Sequence, residues 1–108
     1  MTEYLTFNSV GGGSLDVTEA GEYVIPVENI ICVDGGQIAA GVAIWNTTPS
    51  SSGDTCSFYE FEISGSKTAA QEAFLRAIAS KPGGRASKVL LPQGTSITSW
   101  SFLREGVY

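Results

Sequence analysis

The chain has 108 residues, a formal net charge of −5 at pH 7 and a charged fraction of 16%, against roughly 25% in an average soluble domain. This length fits one domain, residues 1–108, with a small core, and the scarcity of charge leaves neutral surface that oligomerisation would cover. The chain contains no histidine, which removes the commonest general base and metal ligand. We therefore expect a protein that binds rather than catalyses, with no cofactor and no metal.

The charges are divided unevenly along the chain. Residues 1–66 contain nine acidic and no basic residues, whereas residues 67–108 contain six basic and two acidic residues. Such a division can set an acidic face of one copy against a basic face of the next, or reserve a basic patch for an anionic ligand. The alternative is that both sets of charges are simply solvated.

The first elements are predicted to be strands. Residues 3–8 indicate a strand that ends before Gly11-Gly12-Gly13, because glycine loses much conformational entropy in regular structure. Residues 22–33 are rich in β-branched side chains but contain Pro26, which cannot donate to a central ladder. We expect two strands here, or one bent strand, with an exposed edge near the proline.

A hairpin is predicted next. Asp34-Gly35-Gly36 is typical of a tight turn with positive φ angles and leads into a strand at residues 37–45. A polar loop at residues 46–54 separates this strand from another at residues 55–63.

One helix is predicted at about residues 67–80. Ser66 or Thr68 can serve as the N-cap, and Pro82-Gly83-Gly84 stops the helix. The residues that fall on its apolar face are Ala70, Phe74, Ala77 and Ile78.

Two short strands, at residues 88–91 and 97–103, flank a turn at residues 92–94. The chain is therefore predicted to be mainly β, with five to seven strands and one helix. Residues 23–25 and 30–33 place apolar side chains on both faces of their strands, so both faces need cover. A helix of this length is roughly 20 Å long and cannot cover a whole face. A partner subunit, or closure of the sheet into a barrel, would cover the remaining apolar surface.

Few residues offer catalytic chemistry. Cys32 and Cys56 form no CxxC pair, and without a signal peptide or a membrane span we expect a cytoplasmic protein in which both are buried thiols rather than a disulfide. Glu60 and Glu62 share a strand face, where they could bind a cation in an enzyme, but a solvated strand face is the more ordinary interpretation.

The basic residues near the end of the helix suggest a nucleic-acid site. Lys81, Arg85 and Lys88 surround the glycine-rich loop and could contact phosphates without reading base sequence. Because the chain is acidic overall, such binding would weaken steeply with salt.

A second part of this site is predicted on the last strand. Trp100 and Phe102 share a strand face and precede Arg104, so they could stack with bases beside a positive charge. The alternative is that both rings belong to the core.

Three segments carry a family resemblance: Glu-Tyr-Leu-Thr-Phe at residues 3–7, Ile-Pro-Val-Glu-Asn-Ile-Ile at residues 25–31, and Ser-Gly-Ser-Lys-Thr at residues 64–68. Through them the chain resembles a group of small proteins from marine cyanophages and ocean metagenomes. That group is similar in fold to Sm-like proteins, which are small, strongly bent, antiparallel SH3-like barrels. Their subunits join edge to edge into rings, and their relatives bind RNA.

The resemblance implies a non-enzymatic, ring-forming homo-oligomer that binds single-stranded RNA or DNA in the cytoplasm of an infected host cell. It transfers no binding site, because the Asp–Asn and Arg–Gly loop pairs of Sm proteins have no match around Asn46 or Arg85. The alternative is a phage structural or virion accessory protein that acts through contacts with other phage proteins.

Overall fold

The computed structural model describes residues 3–27, 30–35, 40–48, 55–80 and 86–107. Its elements, in chain order, are β1 (Glu3–Ser9), β2 (Gly21–Val27), β3 (Ile30–Asp34), β4 (Gly41–Thr48), β5 (Thr55–Ser64), α1 (Lys67–Ser80), β6 (Ala86–Lys88) and β7 (Ser96–Val107). The mainly β composition and the predicted helix are confirmed. Within this part of the chain, no helix has the length and apolar character needed to cross a membrane.

The seven strands form one mixed sheet in the order β2-β1-β7-β5-β4-β3, with β6 paired beside β1. The strand pairs are antiparallel, except that β1 runs parallel to β6 and β7. β1 pairs with β7 only where Ser9 lies opposite Ile97. The sheet therefore consists of two halves, β2-β1-β6 and β7-β5-β4-β3, that meet at a narrow junction.

The two halves also meet across the core. The hydroxyl of Tyr59 in β5 donates to the carbonyl oxygen of Pro26 in β2 at 3.0 Å, although these strands are three places apart in the sheet. Such a contact requires the sheet to be strongly bent. Across the described residues the sheet remains open, because β2 and β3 end it without pairing to each other.

The core lies between the two halves and beneath the helix. The ring of Phe7 meets that of Phe61 edge to face at 5.1 Å, and Phe61 contacts Phe74 of α1 at 4.5 Å. The predicted apolar face of the helix is confirmed, since Ala70, Phe74 and Ala77 are buried and Ile78 packs against the core.

Residues 22–33 form two separate strands, β2 and β3, which lie at opposite edges of the sheet. Pro26 is therefore on an edge strand, as predicted, where a missing N–H is tolerated. At the other edge, Nε2 of Gln71 donates to the carbonyl oxygen of Val33 at 3.1 Å. Each edge thus has one carbonyl that already accepts a hydrogen bond from a side chain of the same molecule.

The predicted hairpin is confirmed as a pair of strands, but its tight turn at residues 34–36 is wrong. β3 and β4 are antiparallel, but Asp34 lies opposite Ala43 and Gly35 does not have a positive φ. β4 begins at Gly41 because it is aligned by β5, where Gly41 lies opposite Glu62. Residues 36–39, which include the end of the predicted turn and the start of the strand predicted at residues 37–45, lie outside the described residues.

Candidate nucleic-acid interface

One side of the half-sheet β2-β1-β6 turns away from the core, and we call this side the outer face. Residues directly opposite one another in a sheet point to the same side. The strand register therefore places eight residues there, which are Tyr4, Thr6, Asn8, Glu22, Val24, Pro26, Ala86 and Lys88. Of the seven whose side chains the structure describes, six are exposed and Thr6 is half-buried.

Lys88 and Tyr4 are neighbours on the outer face. Lys88 lies opposite Thr6 and Ala86 lies opposite Tyr4, so the ammonium group and the ring occupy diagonal positions on adjacent strands. Diagonal side chains of this length come within reach of each other. Tyr4 as a whole residue is 38% exposed. A cation beside an accessible aromatic ring can neutralise a phosphate and stack with a base.

A groove continues from Lys88 at the junction of β1, β6 and β7. It encloses about 300 Å³, at the lower end of the range of about 300 to 1,000 Å³ typical of ligand pockets. Lys88 is the one charged residue among those that line it. Its other lining residues are Asn8, Val10, Val89, Leu90, Leu91, Thr95 and Ser96.

The predicted basic cluster is only partly described. Lys81 and Arg85 lie outside the described residues, although Arg85 directly precedes Ala86, which pairs with Tyr4. Arg104 occupies a position in β7 opposite Ser57, and its side chain also lies outside the described part. Lys88 is the predicted cation whose surroundings the structure gives.

Trp100 lies on the core side of β7. Its ring contacts those of Phe7, Tyr23 and Tyr59 at centroid distances of 5.6, 5.4 and 6.3 Å. This arrangement matches the alternative in which Trp100 belongs to the core, and it separates Trp100 from Lys88, which lies in β6 on the outer face. Phe102 packs on Tyr59 at 4.9 Å and is 47% exposed.

The two adjacent acids of β5 are not on a solvated face, and that prediction is wrong. Glu60 is 1% exposed and Glu62 is half-buried. Oε1 of Glu62 accepts hydrogen bonds from Ser14 N at 2.6 Å, Ser99 Oγ at 2.8 Å and Ser14 Oγ at 3.1 Å. These bonds, led by the one from the Ser14 backbone, hold the pKa of Glu62 below its ordinary value.

Glu62 therefore fastens the loop that contains Ser14 to the sheet. In the part of the chain that the structure describes, no three Cys, Asp or Glu side chains are grouped so that they could hold a metal ion.

Sequence reasoning missed Tyr4 and the groove. The alternation of buried Leu5 and Phe7 with Tyr4 and Thr6 would have placed Tyr4 on the outer side of β1. The groove has no such signal, since it depends on where β6 ends beside β1.

Comparison of the chain with family models, with curated proteins and with solved structures gives no match. The side chains of the outer face and the groove are therefore the basis for a functional proposal.

Proposed function

We propose that the chain is a non-enzymatic protein that binds single-stranded RNA or DNA on its outer face. The supporting observation is the exposed Lys88 diagonal to the exposed ring of Tyr4. These two groups supply the contacts that sequence-independent single-strand binding uses, which are phosphate neutralisation and base stacking. Lys81 and Arg85, which come just before β6 in the sequence, would add further phosphate contacts.

The same proposal includes an Sm-like closed ring of identical subunits in the cytoplasm of an infected host cell. The open, strongly bent sheet supports it, because β2 and β3 are edges at which copies can associate. The carbonyls of Pro26 and Val33 already accept hydrogen bonds from side chains, so subunits would pair through the remaining edge groups. A ring would repeat the Tyr4–Lys88 pair, and linked weak contacts add to the avidity for one strand.

Fluorescence anisotropy with labelled single-stranded RNA and DNA tests the proposal. We expect binding at low salt that weakens as salt is added, because Lys88 releases counterions from the phosphates. Lys88→Ala should reduce the slope of log K against log salt by about 1. The matched control is Arg76→Ala, which removes a cation from the surface of α1, where Arg76 is 83% exposed.

Two results would contradict the proposal: no binding by the wild-type protein at low salt, or an equal loss of affinity in Lys88→Ala and Arg76→Ala. Tyr4→Ala separates stacking from charge, because it should weaken binding without changing the salt slope. Tyr4→Phe keeps the ring and should bind like the wild-type protein.

A phage structural or virion accessory role is the second candidate. It is favoured by apolar side chains on the surface, since Val24 is 57% exposed and Leu90 is 72% exposed. Protein that assembles with concentration but retains neither RNA nor DNA would support this role. The double variant Arg85→Ala, Lys88→Ala also distinguishes the two, because loss of the oligomer would assign these cations to the subunit interface.

A further inference from the structure

The groove beside Lys88 exists because strand pairing along β1 is interrupted. β6 pairs with β1 as far as Thr6, and β7 pairs with β1 only at Ser9. Between these points the chain leaves the sheet at Val89, whose N–H still donates to the carbonyl oxygen of Thr6 at 2.9 Å, and returns at Ser96. The resulting concavity of about 300 Å³ is large enough for part of a small ligand, but not for a folded partner.

The lining has apolar walls, one amide and one cation. Val10 and Leu90 are 61% and 72% exposed, so two apolar side chains stand open to a ligand. The side-chain amide of Asn8 offers both a donor and an acceptor, and it makes no hydrogen bond within the described residues. Lys88 completes the groove on the side toward Tyr4.

This lining matches one nucleotide unit. A base has apolar faces and polar edges, which suit Val10, Leu90 and Asn8, and its phosphate is an anion, which suits Lys88. Inorganic phosphate would leave the apolar walls unused, and an alkyl chain would leave the amide unsatisfied.

We infer that the groove takes one unstacked base of the bound strand, with an adjoining phosphate at Lys88. The inference rests on the proposed function and adds a second base site to the one at Tyr4. Tyr4 and Asn8 are four residues apart on β1, which is roughly 13 Å in a strand. Stacked bases are about 3.4 Å apart, so the bases at the two sites are not stacked neighbours.

The test compares two labelled oligomers with the same number of phosphates, one of thymidine and one that is fully abasic. We expect Leu90→Ser to weaken binding of the thymidine oligomer about tenfold, because loss of one base contact has an effect of that order. Binding of the abasic oligomer should not change. Leu75→Ser is the matched control, because Leu75 is an exposed leucine of α1, 48% accessible and outside the groove; it should alter neither affinity.

Three outcomes would overturn the inference. If Leu90→Ser leaves both affinities unchanged or lowers them equally, the groove holds no base and the phosphate contact at Lys88 stands alone. If thymidine monophosphate binds as tightly as the oligomer, the groove is a site for a free nucleotide. If the wild-type protein binds neither oligomer, the proposed function fails as well.

Side-chain NMR gives an independent measurement. Titration with the thymidine oligomer should shift the methyl signals of Leu90 and Val10 and the amide signal of Asn8. The abasic oligomer should leave these signals in place while it still shifts those of Lys88.

Discussion

The carboxylate of Glu62 helps to hold the loop after β1, which contains Gly13 and Ser14, against the sheet, together with the backbone hydrogen bonds from Gly13 N to Thr98 O and from Val17 N to Trp100 O. Besides the bonds from Ser14, the carboxylate accepts one from Ser99, whose Oγ in turn accepts from the backbone N–H of Leu15 at 3.1 Å. Gly13 allows this close approach, because a methyl group there would overlap Ser99 Oγ and Glu62 Oε1. Besides its backbone hydrogen bonds, the loop conformation therefore depends on the charged side chain of Glu62 and on the absence of a side chain at Gly13.

Glu62→Gln is expected to lower the free energy of unfolding by about 1 kcal/mol near neutral pH, because it removes the charge from a half-exposed hydrogen-bonded group. The pKa of Glu62 is lowered in the folded protein, so this stabilisation is fully present above the ordinary value of 4.5 and is lost as the pH falls through the folded value. Urea denaturation of both proteins from pH 7 to pH 3 measures the difference.

The neighbouring titratable groups are Glu60 on the same face of β5 and Asp16 in the fastened loop. Both remain in the variant, so their contributions largely cancel in the difference curve. Glu72→Gln, which removes the same charge from the exposed side of α1, is the control for the change in net charge. A difference between wild type and Glu62→Gln that stays constant down to pH 3 would contradict the assigned role.

At the scale of elements, the junction between β5 and α1 is set by local chemistry. Ser66 Oγ accepts a hydrogen bond from the N–H of Ala69 at 3.2 Å, which identifies Ser66 as the N-cap. Gly65, immediately before it, has a φ of 107° and lies against the carbonyl of Gly94 in the turn before β7. The start of the helix is thereby fixed to the last turn of the sheet.

Gly65→Ala should destabilise the protein by roughly 2 kcal/mol or more, because it adds a steric overlap with backbone to the cost of a positive φ. Gly94→Ala is the matched comparison, since Gly94 has a φ of 89° but open space around it. It should cost only about 1 kcal/mol. Thermal denaturation measures the difference in stability between the two variants. Equal losses of stability would mean that the contact of Gly65 with Gly94 has no steric role.

Elements with local signals were predictable, and those set by distant pairing were not. The helix at residues 67–80 followed from a cap, a 3.6-residue period and a Pro-Gly-Gly stop, all within the same stretch of chain. The tight turn after Asp34 failed because β4 takes its start from β5, about 20 residues further along. Strand bounds of this kind are set by the register of a partner strand.

The same distinction holds for the candidate site. Lys88 was identified from the clustering of basic residues, which is visible in the sequence. The diagonal placement of Lys88 beside Tyr4 depends on the parallel pairing of β6 with β1. Trp100 was a reasonable candidate as an aromatic near a basic residue, but its contacts with three core rings arise only when the sheet bends.

For the whole molecule, the hydrogen bond between Tyr59 and Pro26 joins the two halves of the sheet. Tyr59→Phe should lower the free energy of unfolding by about 1 kcal/mol, the usual value of one such bond, while the ring contacts remain. Burial raises the pKa of Tyr59, so this contribution is present below the ordinary value of 10.0 and is lost as the pH rises through the folded value. Denaturation at pH 8 and pH 11 measures both effects.

Tyr23→Phe provides the comparison, because the hydroxyl of Tyr23 donates at 2.8 Å to the carbonyl of Glu19 within one segment. It should leave the amide hydrogen exchange of β2 close to that of the wild-type protein. Tyr59→Phe should accelerate exchange in β2, where the contact between the halves is lost. Equal exchange rates in the two variants would show that the bond from Tyr59 does not hold the halves together.

The pairing of β1 also constrains the order of folding. During synthesis, β1 and β2 can form a hairpin early, but the other side of β1 has no partner until about 80 further residues have been made. Contacts over such separations form slowly because loop closure must precede them. Until then the nascent chain carries an open strand edge beside the residues that later bury Phe7, so its risk of aggregation is greatest before residues 86–97 are released from the ribosome.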